Sequence, residues 1–290
     1  MMLQLLAATL RVSTPLIFAA LGGMISERAG VINIALEGLM LTGAFAGAVA
    51  TLATHSPWLG SACGLGAGLL LAALYGVFVI RLRADQIVAG TAINMLALGL
   101  TPSLCKILYD VTGSTPAIPM SERFQFAPLY LSWLLVAMAC LWLRHARSGL
   151  WVSFAGENPE ALDAAGIRVN RVRWAAVLAS GALAGLGGAS LSIFLSSSFS
   201  RNMTAGRGFM ALAALIFGKW RPLPTALACL LFGFAEAVQI PLQRVVLWGN
   251  RPIPVQFIQI LPYLATMLVL AGFVGRSKAP KALGTIFRRD

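Results

Sequence analysis

Residues 174–196 read WAAVLASGALAGLGGASLSIFLS, a stretch without one charged side chain. A hydrocarbon core about 30 Å thick takes about 20 apolar residues of α-helix to cross, and this stretch is long enough. Gly181 and Gly185 are four positions apart, a spacing that lets two helix backbones approach closely in lipid. Comparable apolar runs occupy residues 5–25, 35–54, 58–80, 86–108, 125–143, 223–243 and 254–274, with a shorter one at 208–219. The pattern predicts an all-α polytopic membrane bundle of about 8–10 spans, with at least one short or broken helix. It fills residues 1–290 as a single transmembrane domain and leaves no room for a separate soluble one.

The composition agrees. Of 290 residues, 58% are hydrophobic and 11% charged, against roughly 25% charged in an ordinary soluble domain. That excludes a water-soluble globule. The apolar start, MMLQLLAATLRVSTPLIFAALGG, has no basic segment ahead of it and no small-residue cleavage site, so it reads as a first span rather than a removed signal. Cys63, Cys105, Cys140 and Cys229 are far apart and lack metal-ligand pairing; they read as reduced packing residues, and no metal site is expected.

The 22 Lys+Arg outnumber the 10 Asp+Glu and give a net charge of +12. In a soluble protein this surplus would raise nucleic acid as a partner. Here the preference of basic residues for cytoplasmic loops accounts for it, and no nucleic acid is expected. Alternating the spans places Arg28, Arg81, Arg83, Arg144, Arg147, Arg168, Arg171, Arg173, Lys219, Arg221 and the basic tail on one side. Lys106, Arg123, Arg201, Arg207, Arg244 and Arg251 fall on the other. The first side, with the C-terminus, is therefore expected in the cytoplasm, provided the short run at 208–219 crosses as a half-helix.

Two stretches interrupt the apolar pattern. SERAGVINIALEG, residues 26–38, reads either as a turn or as a broken, partly inserted helix, since Asn33 and Glu37 lie in apolar surroundings. Non-helical backbone at membrane depth is tolerated where protein buries it or it lines a cavity. The other is the polar loop at about 146–173, ARSGLWVSFAGENPEALDAAGIRVNRVR. There Asn158 suits an N-cap, Pro159 the first turn, Glu160 the positive end of the helix dipole, and Gly166 the stop. A cytoplasmic helix of about two turns is predicted between two spans.

Ionisable groups inside spans are costly and so point to function. Glu37, Glu236 and Arg11 are the candidates, joined by the amides of Asn33 and Asn94. Asn33, Glu37, Asn94 and Glu236 are candidate lining for a translocation path; each also suits a structural hydrogen bond. A faint echo relates Ile32-Asn33 and Gly38-Leu39 to Ile93-Asn94 and Gly99-Leu100, as in a repeat. No paired-carboxylate, nucleophile or P-loop arrangement occurs, so no catalytic residue is assigned. With so few relay groups in the spans, a passive conduit driven by an external motor is favoured over a proton-coupled carrier.

Taken together, SERAGVINIALEGLMLTGAF (26–45), DQIVAGTAINMLALGLT (85–101), GENPEALDAAGIRVNRVR (156–173), SGALAGLGGA (180–189), GRGFMALAALIFGKWRP (206–222) and LPYLATMLVLA (261–271) resemble membrane permeases of bacterial ABC importers. The specific group is the branched-chain amino acid and simple-sugar permease family, within it the nucleoside type. The resemblance implies a multi-pass inner-membrane subunit that is not itself an enzyme. ATP and Mg would be bound by partner ATPase subunits, so the chain needs no cofactor of its own. It also implies a second, different permease, two ATPase copies and an extracytoplasmic solute-binding protein. The 156–166 loop resembles the coupling helix, which carries over Gly156, Glu157, Asn158, Pro159, Glu160, Ala161 and Gly166 as ATPase contacts. Phe154 departs from the basic residue that relatives usually carry there. Nucleosides are the first expected solute, with a simple sugar or another small polar solute as the alternative and a self-contained secondary carrier after those.

Overall fold

The computed structural model describes residues 2–242, 246–247, 251–252, 260 and 278–287. Apart from Ile260, the apolar run at 254–274 lies outside them, as do Arg244, Arg276, Arg288 and Arg289. The described chain is helical: α1 (Met2–Arg28), α2 (Leu36–Thr54), α3 (Pro57–Gly76, continued by a π-helical turn to Arg81), α4 (Gln86–Tyr109) and α5 (Ala127–His145) come first. After them run α6 (Arg147–Glu157), α7 (Pro159–Ala164), α8 (Val169–Ser190, continued by a π-helical turn to Leu195), α9 (Arg207–Phe217) and α10 (Pro222–Leu242). A small antiparallel pair, β1 (Val246–Leu247) with β2 (Arg251–Pro252), follows.

Among the described residues, 7 helical stretches are long and apolar enough to span a membrane. The 11 residues of α9 reach about 16 Å, roughly half a hydrocarbon core. The predicted short helix is therefore present, and the chain reaches it from α8 through the non-helical residues 196–206.

Lipid supplies no hydrophobic drive for helix association, so small residues that admit close backbone contact hold spans together. The junction of α2, α3 and α8 is built this way. A Cβ on Gly43 would strike the Gly185 backbone, one on Gly68 the Gly181 carbonyl, and one on Gly185 the Gly64 carbonyl. Gly66 sits between Gly64 and Gly68 in sequence but meets nothing. Gly185→Ala is expected to cost about 1–3 kcal/mol by overpacking, lowering the melting temperature of the detergent-purified chain, while Gly66→Ala leaves it unchanged.

The ends of the bundle sort the charges. At one end the tail returns onto the first interhelical break: Ala282 N–H donates to the Gly156 carbonyl at 2.7 Å and Gly284 N–H to the Gly30 carbonyl at 3.0 Å. Arg28, α6, α7 and the start of α8 gather there too. At the opposite end Arg201 N–H donates to the Gly113 carbonyl, Ile118 N–H to the Ser197 carbonyl, and Arg123 to the Phe194 carbonyl. Two basic residues that alternation places with the loop charges are tied into the fold instead. Arg207 lies at the start of α9 in an ion pair with Glu236, and Arg173 is only 3% exposed.

Candidate functional site

The polar loop folds as its residues dictate. Asn158 Oδ1 accepts the Ala161 N–H at 3.1 Å and caps α7, whose first residue is Pro159. Such a cap stabilises a helix by about 1 kcal/mol. Gly166 adopts φ +81°, a left-handed conformation that glycine enters without a Cβ clash, and turns the chain toward α8. Leu162 is buried and anchors α7, leaving Glu157, Asn158, Glu160 and Ala161 exposed on the outer surface. The result is a short, acid-bearing ridge fixed to the bundle at both ends.

What lies beneath the ridge is not legible in the sequence as a site. Gly156 packs so tightly on the end of α1 that a Cβ there would strike the Arg28 carbonyl. The Arg173 guanidinium donates from Nε to the Ala29 carbonyl at 3.1 Å, from Nη1 to Thr285 at 2.7 Å and from Nη2 to Ala155 at 3.4 Å. One side chain of α8 thus ties the end of α6, the α1–α2 break and the C-terminal segment together. Glu27 and Trp220 add a second tie, since Trp220 Nε1–H donates to Glu27 Oε2 at 2.6 Å and joins the far end of α9 to α1.

From that junction residues 29–35 run non-helically to α2. Backbone groups buried in a membrane protein need partners from neighbouring elements, and side chains supply them. Ile32 N–H donates to Gln86 Oε1 at 2.8 Å, and its carbonyl accepts from the Tyr75 hydroxyl. Asn94 Oδ1 accepts the Gly38 N–H at 2.8 Å, while its Nδ2 donates to the Ile34 carbonyl at 2.9 Å. Asn33 Nδ2 donates to Ser180 Oγ at 2.8 Å; Asn33 Oδ1 is buried and meets no donor among the described residues. The chain is non-helical at 29–35, which both readings of this stretch, a turn or a broken helix, allow. The proposed echo is not a structural equivalence, because Asn94 bonds Gly38 itself and Gly99 faces open space.

Glu37 joins this segment to the other break. Its Oε1 accepts the Gly206 N–H at 2.8 Å and its Oε2 the Gly208 N–H at 2.7 Å. A carboxylate therefore occupies the N-terminus of α9, where free N–H groups and the helix dipole favour negative charge. Gly206, at φ +84°, supplies the left-handed turn this requires. Glu236 of α10 pairs with Arg207 from another side. Three of the four candidate path residues, Asn33, Glu37 and Asn94, thus surround the start of α2. Glu236 reaches the same place through Arg207.

Among the described residues no cluster of His, Cys, Asp or Glu is suited to hold a metal ion. The arrangement couples an exposed ridge to two meeting helix breaks, and residues 5–272 match the family described as branched-chain amino acid transport system, permease component. The chain belongs to that permease family. It is 39% identical to the nucleoside ABC transporter permease NupC of Lactococcus lactis, across 97% of this chain and 96% of that one. It is equally 39% identical to the guanosine ABC transporter permease NupQ of Bacillus subtilis, across 96% and 94%. A putative glucose ABC transporter permease of Haloferax volcanii is 33% identical across 99% and 98%. No solved structure matches the chain. As an ABC permease component it is a multi-pass membrane subunit, not an enzyme, and its class implies ATPase and substrate-binding partners.

Proposed function

We propose that this chain is one permease of an ABC importer that moves nucleosides inward across the bacterial inner membrane. The observation that carries the solute is the pair of nucleoside-type relatives, each 39% identical over nearly the whole chain. Separate ATPase subunits bind ATP and Mg. A solute-binding protein delivers from outside, and a second, different permease completes the path. The sugar reading rests on the glucose-type relative at 33%.

In this account α7 is the coupling helix, with the side of α7 and the tail facing the cytoplasm. Glu157, Asn158, Glu160 and Ala161 meet the ATPase, Pro159 and Gly166 set the ends of the ridge, and Gly156 and Arg173 carry its displacement to residues 28–30. Residues 29–35 are non-helical, so they transmit a pull without first having to unwind. The pull reaches Glu37 and the start of α9, where the two breaks meet and Asn33, Asn94 and Glu236 converge. Shifting α2 against α9 there opens the path alternately to each side.

Uptake of radiolabelled nucleoside by vesicles carrying the assembled transporter tests the solute. Excess unlabelled nucleosides are expected to abolish uptake, and glucose or ribose to leave it intact. Absence of nucleoside uptake, with radiolabelled glucose or ribose taken up in its place, would establish the sugar reading instead.

A further inference from the structure

Beside α7, between the ends of α1, α5, α6 and α8, lies an apolar cavity of about 780 Å³. It follows α8 from Arg168 to Ala179, a descent of about 16 Å at the helical rise. Ile25, Ala176, Trp142 and Trp151 are among the residues that line it. Trp142 donates from Nε1 to Ser148 Oγ at 2.8 Å, which holds that indole across the α5–α6 corner. At the lip stand Arg168 and Arg171, both exposed and neither in an ion pair with a described residue.

The slot is thus apolar along a spanning helix and doubly cationic where that helix leaves the membrane. Tryptophans concentrate at that level of a bilayer, and basic pockets between spans on the cytoplasmic side take acidic headgroups. A soluble peptide has no use for an apolar slot that descends into the membrane, and a second copy of the chain would bring its own cations to the lip. We infer that the slot binds an anionic glycerophospholipid, with its phosphate between Arg168 and Arg171 and an acyl chain along Ala176 and Ala179. Because α6 and α8 wall the slot and flank α7, a bound lipid braces the ridge from the membrane side. The inference rests on the cytoplasmic placement of this end of the bundle and is independent of the solute.

The test uses the full chain in nanodiscs and phospholipids brominated in their acyl chains, which quench tryptophan on contact. The signal of the slot is the part of the quenching lost in the W142F/W151F variant. Brominated phosphatidylglycerol is expected to reach half-quenching at a mole fraction on the order of tenfold lower than brominated phosphatidylcholine, two basic residues being engaged. R168Q/R171Q, or salt high enough to screen the lip, should erase that preference. Equal half-quenching by the two lipids overturns the inference, as does a preference that survives both treatments. Absence of quenching in the assembled transporter overturns it as well, since a partner protein then covers the slot.

Discussion

Replacing Arg173 with Met is expected to cut nucleoside uptake at least tenfold while the ATPase continues to turn over. Arg173 is the only described side chain that bonds the end of α6, the α1–α2 break and the tail at once. A hydrogen bond from a charged group contributes about 1.5–3 kcal/mol, and about 1.4 kcal/mol is a factor of ten in an equilibrium. Losing even one of the three therefore lets the ridge move without the break following. Met keeps most of the apolar stem and bulk and removes the donors. Lys keeps the charge but, as a single point donor, cannot span three carbonyls in a fixed fork; Arg173→Lys is expected to fall between. The diagnostic quantity is uptake per ATP hydrolysed in proteoliposomes. A merely structural arginine would lower uptake and hydrolysis together, in proportion to the assembled protein lost, and leave that ratio unchanged.

Glu37→Gln is expected to destabilise the chain by roughly 2–6 kcal/mol, enough to remove most folded protein from the membrane fraction. Both carboxylate oxygens accept backbone N–H groups at the start of α9. A carboxamide offers one acceptor and turns its NH₂ toward the second N–H, leaving donor against donor. Each buried donor left without a partner costs about 1–3 kcal/mol, and the lost charge at the helix N-terminus adds to that. Glu37→Ala is expected to match Gln, because Ala leaves both N–H groups unpaired, while Gln satisfies one and sets its own unpaired NH₂ against the other, two unsatisfied donors in each case. Thermal unfolding of the detergent-purified variants measures the loss; a Gln variant as stable as the parent would show that Glu37 is not needed to join the two breaks.

Features set by neighbours in the chain are legible from the residues themselves. The cap at Asn158, the proline behind it and the stop at Gly166 lie within one short stretch, and their chemistry is local. The spans are legible because length and apolarity are properties of each run, and the glycine spacing at 181 and 185 marks a close packing that is present. Long-range partners are not. Asn33 bonds Ser180, 147 positions away. Glu37 is held by backbone N–H groups at residues 206 and 208, which leave no mark in the sequence except the glycines themselves. Arg173 reads as one more loop charge, two residues from Arg171. Only burial distinguishes them: Arg171 points outward at the lip of the slot, while Arg173 lies under the ridge among three carbonyls. The similarity of Asn33 and Asn94 suggests a repeat, yet the second asparagine serves the segment that contains the first.

The most direct test of a motor attached at α7 is uptake and ATP hydrolysis measured on the same proteoliposomes containing Glu157→Arg. Glu157 is exposed at the end of α6, so its reversal should leave insertion and melting temperature intact. The coupling account predicts that ATP-dependent nucleoside uptake disappears. Unchanged ATP-dependent uptake by the Arg variant would contradict it, as would nucleoside flux driven by a proton gradient through this chain alone.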